Sequence, residues 1–294
     1  MSGNTEKIWR VIDLLKWSKD YLAGRGVESP QIETEWMLRH VLNCSRLDIY
    51  MQHERPLTAK ELEEFKALLK KRIRGIPIQY VLGYTDFMGY SFEVNPSVLI
   101  PRPETERLVE KAGELLKASK ETSPHILDVG TGSGCIAVSL AAECPHCRVT
   151  ALDNSPEALQ TAARNAGANG VSERIQLIEM DILKESPDGA PFFMIVSNPP
   201  YVAGDYWEKL SDLVKNNEPW RALYPGEDAL VFYRRLAGLG QELLVEGGYL
   251  LTEIGGSYQE DAVCRVFRES GFDIRDVVQD YSGESRVIVA GKTA

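Results

Sequence analysis

The sequence predicts an α/β protein: a mostly parallel sheet with helices on both faces, preceded by a small helical domain. Three observations carry this prediction. From residue 101 onward, short apolar runs alternate with helical stretches, the pattern of a parallel sheet covered on both sides. The first 75 residues instead repeat apolar side chains at helical spacing. Within the alternating region, Gly130-Thr131-Gly132-Ser133-Gly134 forms a glycine-rich turn from an apolar run into a helix.

In order along the chain, Ile8, Ile12 and Leu15 mark a first helix that Gly24 and Gly26 end. Ser29-Pro30 supplies an N-cap followed by proline at the first helical position. Thr58 and Glu61 form a capping box ahead of Leu62, Phe65, Leu69 and Ile73, one helical face. Gly75-Ile76-Pro77 stops that helix, so the helical domain is placed at 1–75, with Trp9, Trp17 and Trp36 expected in its core. Residues 76–100 read as a connector whose Gly-, Tyr- and Phe-rich stretch at 83–94 makes a short hairpin. The third region, 101–294, holds candidate strands at 125–129, 148–152, 175–178, 192–196, 249–254, 273–278 and 286–290.

Hydrophobic content of 44% and charged content of 26% are ordinary for a globular protein. No apolar run approaches the roughly 18 residues of a membrane helix. The start, Met1 to Lys7, lacks the regions of a signal peptide, so the expected location is the cytoplasm. Net charge is −10, but residues 1–75 carry +3 and the remainder −13. A catalytic half this acidic is a poor partner for a phosphate backbone, which argues against a nucleic-acid substrate. Cys144-Pro145-His146-Cys147 has redox-dithiol spacing, yet it closes a helix and leads into a strand. Thioredoxin-like dithiols open a helix after a strand. A structural connection is therefore expected, with neither redox nor metal chemistry. His125 and His146 fall away from the ligand edge of the sheet and read as structural.

The most informative residues are Asn198-Pro199-Pro200-Tyr201, which follow the apolar run 192–196. They sit at a strand's carboxyl end, where open α/β sheets place ligands. Asn-Pro also starts ordinary turns. The set suits methylation of a planar, poorly nucleophilic nitrogen. The Asn198 side-chain oxygen and the Pro199 carbonyl can accept its two N–H groups. The prolines stiffen that carbonyl, and the Tyr201 ring offers a flat face. The glycine loop differs from the dinucleotide fingerprint, because its third glycine comes too soon, and it lacks the Lys-Ser/Thr of a P-loop. It fits the amino acid end of S-adenosylmethionine, or is a plain tight turn. Asp153 ends the second strand, where an acid accepts ribose hydroxyls or caps the next helix. Asp181 follows the third strand, placed to accept the adenine amine or to face solvent, with Ile182 beside it to pack on the ring. The shared order persuades: glycine loop, acid, acid and Asn-Pro-Pro-Tyr after four successive strands.

With these residues in place, the sequence resembles the peptide chain release factor N5-glutamine methyltransferases, the HemK/PrmC family. The resemblance spans nearly the whole chain. It rests on Pro77-Ile78-Gln79-Tyr80-Val81-Leu82-Gly83, on Val98-Leu99-Ile100-Pro101-Arg102-Pro103-Glu104-Thr105-Glu106, and on the Asp128–Gly134 loop. Ser197-Asn198-Pro199-Pro200-Tyr201, Glu218-Pro219-Trp220-Arg221-Ala222-Leu223 and Glu284-Ser285-Arg286-Val287 complete it. The stretch 224–229 departs from the family's usual Gly-Gly pair.

The resemblance implies a class I, Rossmann-like methyltransferase sheet of seven strands with a reversed last strand. It implies S-adenosyl-L-methionine as methyl donor and S-adenosyl-L-homocysteine as product. Gly130, Thr131, Gly132, Ser133, Gly134, Asp153, Asp181, Ile182 and Asn198 would hold the cofactor, with Phe87 as a lid. Asn198, Pro199, Pro200 and Tyr201 would bind the substrate and act in catalysis. The implied substrate is the Gly-Gly-Gln glutamine of class 1 release factors, held by a monomeric enzyme whose helical domain docks the factor. Rival readings are a ribosomal-protein glutamine methyltransferase, an adenine-N6 methyltransferase acting on nucleic acid, and a cofactor-binding scaffold without turnover.

Overall fold

The computed structural model describes residues 8–188, 191–202 and 204–293. It divides into two compact units, Met1–Gly83 and Tyr84–Ala294. The first contains α1 (Val11–Ala23), α2 (Pro30–Leu42), α3 (Arg46–Met51), α4 (Ala59–Arg72) and α5 (Ile78–Leu82). Its core is built from Val11, Leu14, Leu22, Met37, Leu38, Phe65 and Leu69. The Thr58–Glu61 capping box is present. The helical unit reaches Gly83 because Ile78 and Val81 of α5 insert into this core, beyond the break at 75. The first helix starts at Val11, so its buried face runs through Val11, Leu14, Leu15, Ser18 and Leu22. Ile8 lies before that start, 75% exposed. Trp9 and Trp36 pack against the core, whereas Trp17 is exposed and stacks on Tyr21 with ring centroids 5.0 Å apart. Trp17 falls off the buried face of α1.

The second unit opens with a hairpin, β1 (Tyr84–Phe87) and β2 (Tyr90–Glu93). Then come α6 (Pro103–Ala118), β3 (His125–Val129), α7 (Cys135–Glu143), β4 (Arg148–Asp153), α8 (Pro156–Ala168), β5 (Ile175–Glu179) and β6 (Phe192–Ser197). The chain continues through α9 (Asp205–Lys209), α10 (Asp212–Asn217), α11 (Val231–Leu243), β7 (Leu244–Glu253), α12 (Ser257–Glu269), β8 (Phe272–Gln279) and β9 (Ser285–Lys292). The strands form one seven-stranded sheet in the order β5-β4-β3-β6-β7-β9-β8. It is parallel except for β9, which runs antiparallel to both neighbours. Among the described residues no helix is long and apolar enough to cross a membrane.

Consecutive strand residues alternate between the two faces, as the pleat requires. Ile126, Val196, Leu251 and Val289 pack under α6 and α7; Leu127, Ile195, Leu250 and Ile288 pack against α11 and α12. Strand β7 begins five residues before the predicted 249. Gly247, at φ +73°, and a register shift between Phe192 and Met194 absorb the irregularity. The Gly-Gly pair hides this extension, because it interrupts the apolar run that marks a strand. The 144–147 stretch joins α7 to β4 as predicted, and the Cys144 and Cys147 sulfurs are bonded, their Cα atoms 5.4 Å apart. Cys44, Cys135 and Cys264 are free thiols.

Candidate active site

The strand order reverses direction between β3 and β6, a topological switch point that opens a crevice at the carboxyl ends. The register there is specific. Leu152 pairs with Val129, Val129 with Ser197, and Ser197 with Thr252. The next residue on each strand is Asp153, Gly130, Asn198 and Glu253. Four neighbouring strands thus deliver an acid, the glycine loop, the amide and a second acid in one row. The Ser197 hydroxyl donates to the Val129 carbonyl at 2.8 Å and ties the two middle strands at that row.

The crevice deepens into a cavity of about 350 Å³, within the range of small-molecule sites. Gly130, Thr131, Gly132, Ser133, Asp153, Asp181, Ile182, Asn198, Pro199 and Pro200 all line it. The loop turns back because the Gly130 and Thr131 N–H groups both donate to the Leu152 carbonyl, at 2.9 and 2.8 Å. Positive φ at Gly130, Gly132 and Gly134 makes this turn possible. Thr131 donates its hydroxyl to Asp128 at 2.7 Å. Burial pushes the Asp128 carboxyl up to about 7.

Asp153 accepts the Gly132 N–H at 2.8 Å and the Ser155 N–H at 3.0 Å. It therefore braces the glycine loop against the cap of α8, and burial raises its pKa. A carboxylate has about four acceptor positions, so two hydroxyl donors can still be accommodated. Asp181 is paired with Lys184 at 2.8 Å, which lowers its pKa. Ile182 is buried, and the Arg235 guanidinium donates to its carbonyl. Leu152, Ile182 and Phe232 give the cavity an apolar wall between the two acids.

Three predicted residues lie elsewhere. Gly134 opens α7 outside the cavity lining. A Cβ there would meet Ala162 of α8 at 3.1 Å, so this glycine permits close helix packing. The Tyr201 ring also stands outside the lining. Its hydroxyl donates to Glu253 at 3.2 Å, and its carbonyl accepts from Gln259. Phe87, expected as a lid, is 2% exposed and packs edge-on against Phe92 in the core. An alternating strand turns it inward, away from the cavity. His125 lies at the opposite end of β3, bonded to Thr150 at 2.9 Å and packed on Phe192, in keeping with a structural role. His146 sits in the exposed α7–β4 connection.

Sequence reasoning missed three side chains. Glu253 is 1% exposed and accepts from Thr105 at 2.6 Å and from Tyr201. Thr105 in turn accepts from Asn198 Nδ2 at 3.1 Å. Glu218 has a nearly buried side chain that pairs with Arg102 at 2.5 Å and accepts from the Ile100 N–H. It clasps two stretches that line the cavity mouth, Pro101-Arg102 and 219–222. Only an acid ending an apolar strand, as in Leu250-Leu251-Thr252-Glu253, gave a sequence signal for Glu253.

Comparison with known proteins shows the family. The family described as PrmC N-terminal domain matches residues 13–83, and that described as Methyltransferase small domain matches 106–219. A release factor glutamine methyltransferase of Chlorobaculum tepidum is 45% identical, covering 94% of this chain and 95% of the relative. One of Geobacter sulfurreducens is 40% identical, covering 97% and 98%. Among solved structures, the hMettl16 catalytic domain in complex with MAT2A 3'UTR hairpin 6 shares the fold, with a TM-score of 0.54. It is 17% identical and covers 70% of this chain and 76% of that one. Fold and site together define an S-adenosylmethionine-dependent methyltransferase of the class I type. Within that class, the chain belongs to the release factor glutamine methyltransferase family.

Proposed function

We propose that this chain methylates the N5 nitrogen of the glutamine in the Gly-Gly-Gln motif of class 1 peptide chain release factors, using the row of residues at the switch point. The observation that carries this reading is Asn198, one residue beyond the Val129–Ser197 pair, beside the glycine loop and on the cavity wall. The donor set fits S-adenosyl-L-methionine. The side-chain-free backbone at Gly130 and Gly132 leaves room for its amino acid end, Asp153 suits its ribose hydroxyls, and Ile182 with Asp181 its adenine. When bound, it supplies an electrophilic methyl group and leaves as S-adenosyl-L-homocysteine.

The amide lone pair is delocalised, so placement must supply most of the acceleration; well-oriented reactants gain roughly 7–11 kcal/mol. The Asn198 oxygen and the Pro199 carbonyl accept the two N–H groups of the glutamine and turn its nitrogen toward the cofactor side of the cavity. As the N–C bond forms, the nitrogen becomes positive, and both acceptors bind its hydrogens more strongly than in the ground state. The surplus proton then leaves to water. Tyr201 supports this arrangement through its hydroxyl on Glu253.

The helical unit is assigned to docking the release factor, and the enzyme to the cytoplasm, as a monomer with no nucleic-acid partner. The acidic balance of the catalytic half supports that last point. Asn198→Ala tests the assignment. Methyl transfer to the release factor should be abolished while the Kd for S-adenosylmethionine stays within about tenfold, since one of many cofactor contacts is lost. Near-normal methylation by this variant would sink the mechanism.

A further inference from the structure

Behind Asn198 lies a chain of polar groups whose order decides what the amide presents to the cavity. Glu253 is almost fully buried, and a buried carboxylate is costly without a cationic partner. Its direct partners are two neutral hydroxyls, those of Thr105 and Tyr201. The nearby guanidinium of Arg286 is bonded instead to Asp280 at 2.8 Å and to the Gly255 carbonyl at 2.9 Å. Packing alone gives no reason to place a carboxyl group here.

The two ends of a primary amide exchange by a half-turn about one bond, and a threonine hydroxyl donates or accepts with equal ease. Asn198 and Thr105 by themselves therefore leave open which end of the amide faces the cavity. An ionised carboxylate closes the question, because it has no proton to give. Thr105 must donate to Glu253, must then accept from Asn198 Nδ2, and leaves Oδ1 for the cavity. With the opposite polarity, Asn198 would turn its NH2 group on the N–H groups of an incoming amide, donor against donor.

We infer that Glu253 is a positioning residue: it sets the direction of an Asn198–Thr105–Glu253 hydrogen-bond chain and so aims the Asn198 oxygen at the substrate amide. This inference rests on the reading of Asn198 as an amide acceptor.

The groups facing Glu253 come from every surrounding element. They are Tyr201 after β6, Tyr233 of α11 with its hydroxyl on the Glu253 carbonyl, Cys135 opening α7, Arg286 of β9, and Glu104 and Thr105 in the first turn of α6. Burial outweighs the opposing influence of Thr105, Tyr201 and Arg286 and lifts the carboxyl to about 7. Burial and Glu253 itself push the Tyr201 phenol well up, so it stays a donor. A protonated Glu253 can donate to Thr105, which frees that hydroxyl to donate to Asn198 and lets the amide turn. The rate of transfer should therefore rise with pH as Glu253 ionises.

The test measures kcat, KM for release factor, cofactor Kd and their pH dependence in wild type, Asn198→Ala, Glu253→Gln, Thr105→Val and Thr105→Ser. Glu253→Gln should lower kcat by about 30-fold, the scale of one oriented hydrogen bond to a developing charge. Cofactor Kd should move by less than about threefold, and the acid limb of kcat near pH 7 should vanish. Thr105→Val should match that loss, Thr105→Ser should recover most of it, and the Glu253→Gln/Thr105→Val double variant should be no worse than either. A Glu253→Gln enzyme with wild-type kcat and an unchanged acid limb overturns the inference alone, provided Asn198→Ala is inactive. Losses that track cofactor Kd and melting temperature in every variant also overturn it. If Glu253→Gln does not fold, the Val and Ser variants at Thr105 decide. A wild type unable to methylate release factor overturns the functional reading and this inference with it.

Discussion

At Glu253 the carboxyl is held near 7, against an ordinary value of 4.5, and this has a consequence for stability as well as catalysis. Between the unfolded and folded values the native state binds the extra proton. Stability from this group is therefore present at low pH and falls as pH rises toward about 7, then levels off. Asp128 behaves in the same sense. Replacing Glu253 by Gln should remove one part of that slope. Denaturant unfolding at several values of pH should show wild type losing stability relative to Glu253→Gln as pH rises from the carboxylate range to neutrality. Parallel profiles would contradict the assignment. The same residue shows where sequence reading stops. Asn198, Asp153 and the glycine loop are legible because each ends a recognisable strand with a distinctive residue type. Glu253 also ends a strand, but its partners Thr105 and Tyr201 lie 148 and 52 residues away, and only the register brings them together. Tyr201 reads as a flat platform because sequence reports the ring and not its direction.

At the scale of elements, the parallel sheet and its strands are legible because apolar runs of strand length alternate with helical periodicity, whereas the reversed β9 was expected from the family resemblance alone. Boundaries were less legible where glycine interrupts a run, as at Gly247 in β7, or where a short helix such as α5 belongs to a core far from it in sequence. An ion pair ties the loop 218–222 to the segment before α6. Glu218 holds Arg102 and the Ile100 N–H together, and so joins the segment before α6 to the turn at Trp220–Ala222. Glu218→Gln keeps the shape but faces a donor with a donor. It should destabilise the protein by about 2 kcal/mol, the cost of an unpaired buried hydrogen-bonding group near a charge. The cavity mouth should loosen, and cofactor Kd should rise several-fold. Calorimetric titration beside thermal melting checks both, and an unchanged Kd would show that the clasp does not shape the site.

For the whole molecule, one compact unit holds the switch-point cavity, and the proposal gives the other the docking of the substrate protein. A three-residue motif presents little surface, so recognition of an intact factor must draw on contacts away from the glutamine. The kcat/KM for a folded release factor should therefore exceed that for a free Gly-Gly-Gln peptide by about 100-fold or more, a difference of roughly 3 kcal/mol. Equal values would assign no docking role to the helical unit. The central claim is tested most directly by incubating the enzyme with S-adenosylmethionine and unmethylated release factor, with ribosomal protein and nucleic acid in parallel, and reading peptide masses. The account predicts one added methyl group on the Gly-Gly-Gln peptide, lost when that glutamine is replaced and absent with Asn198→Ala. Methyl transfer to nucleic acid or ribosomal protein, with the release factor unmodified, would contradict it.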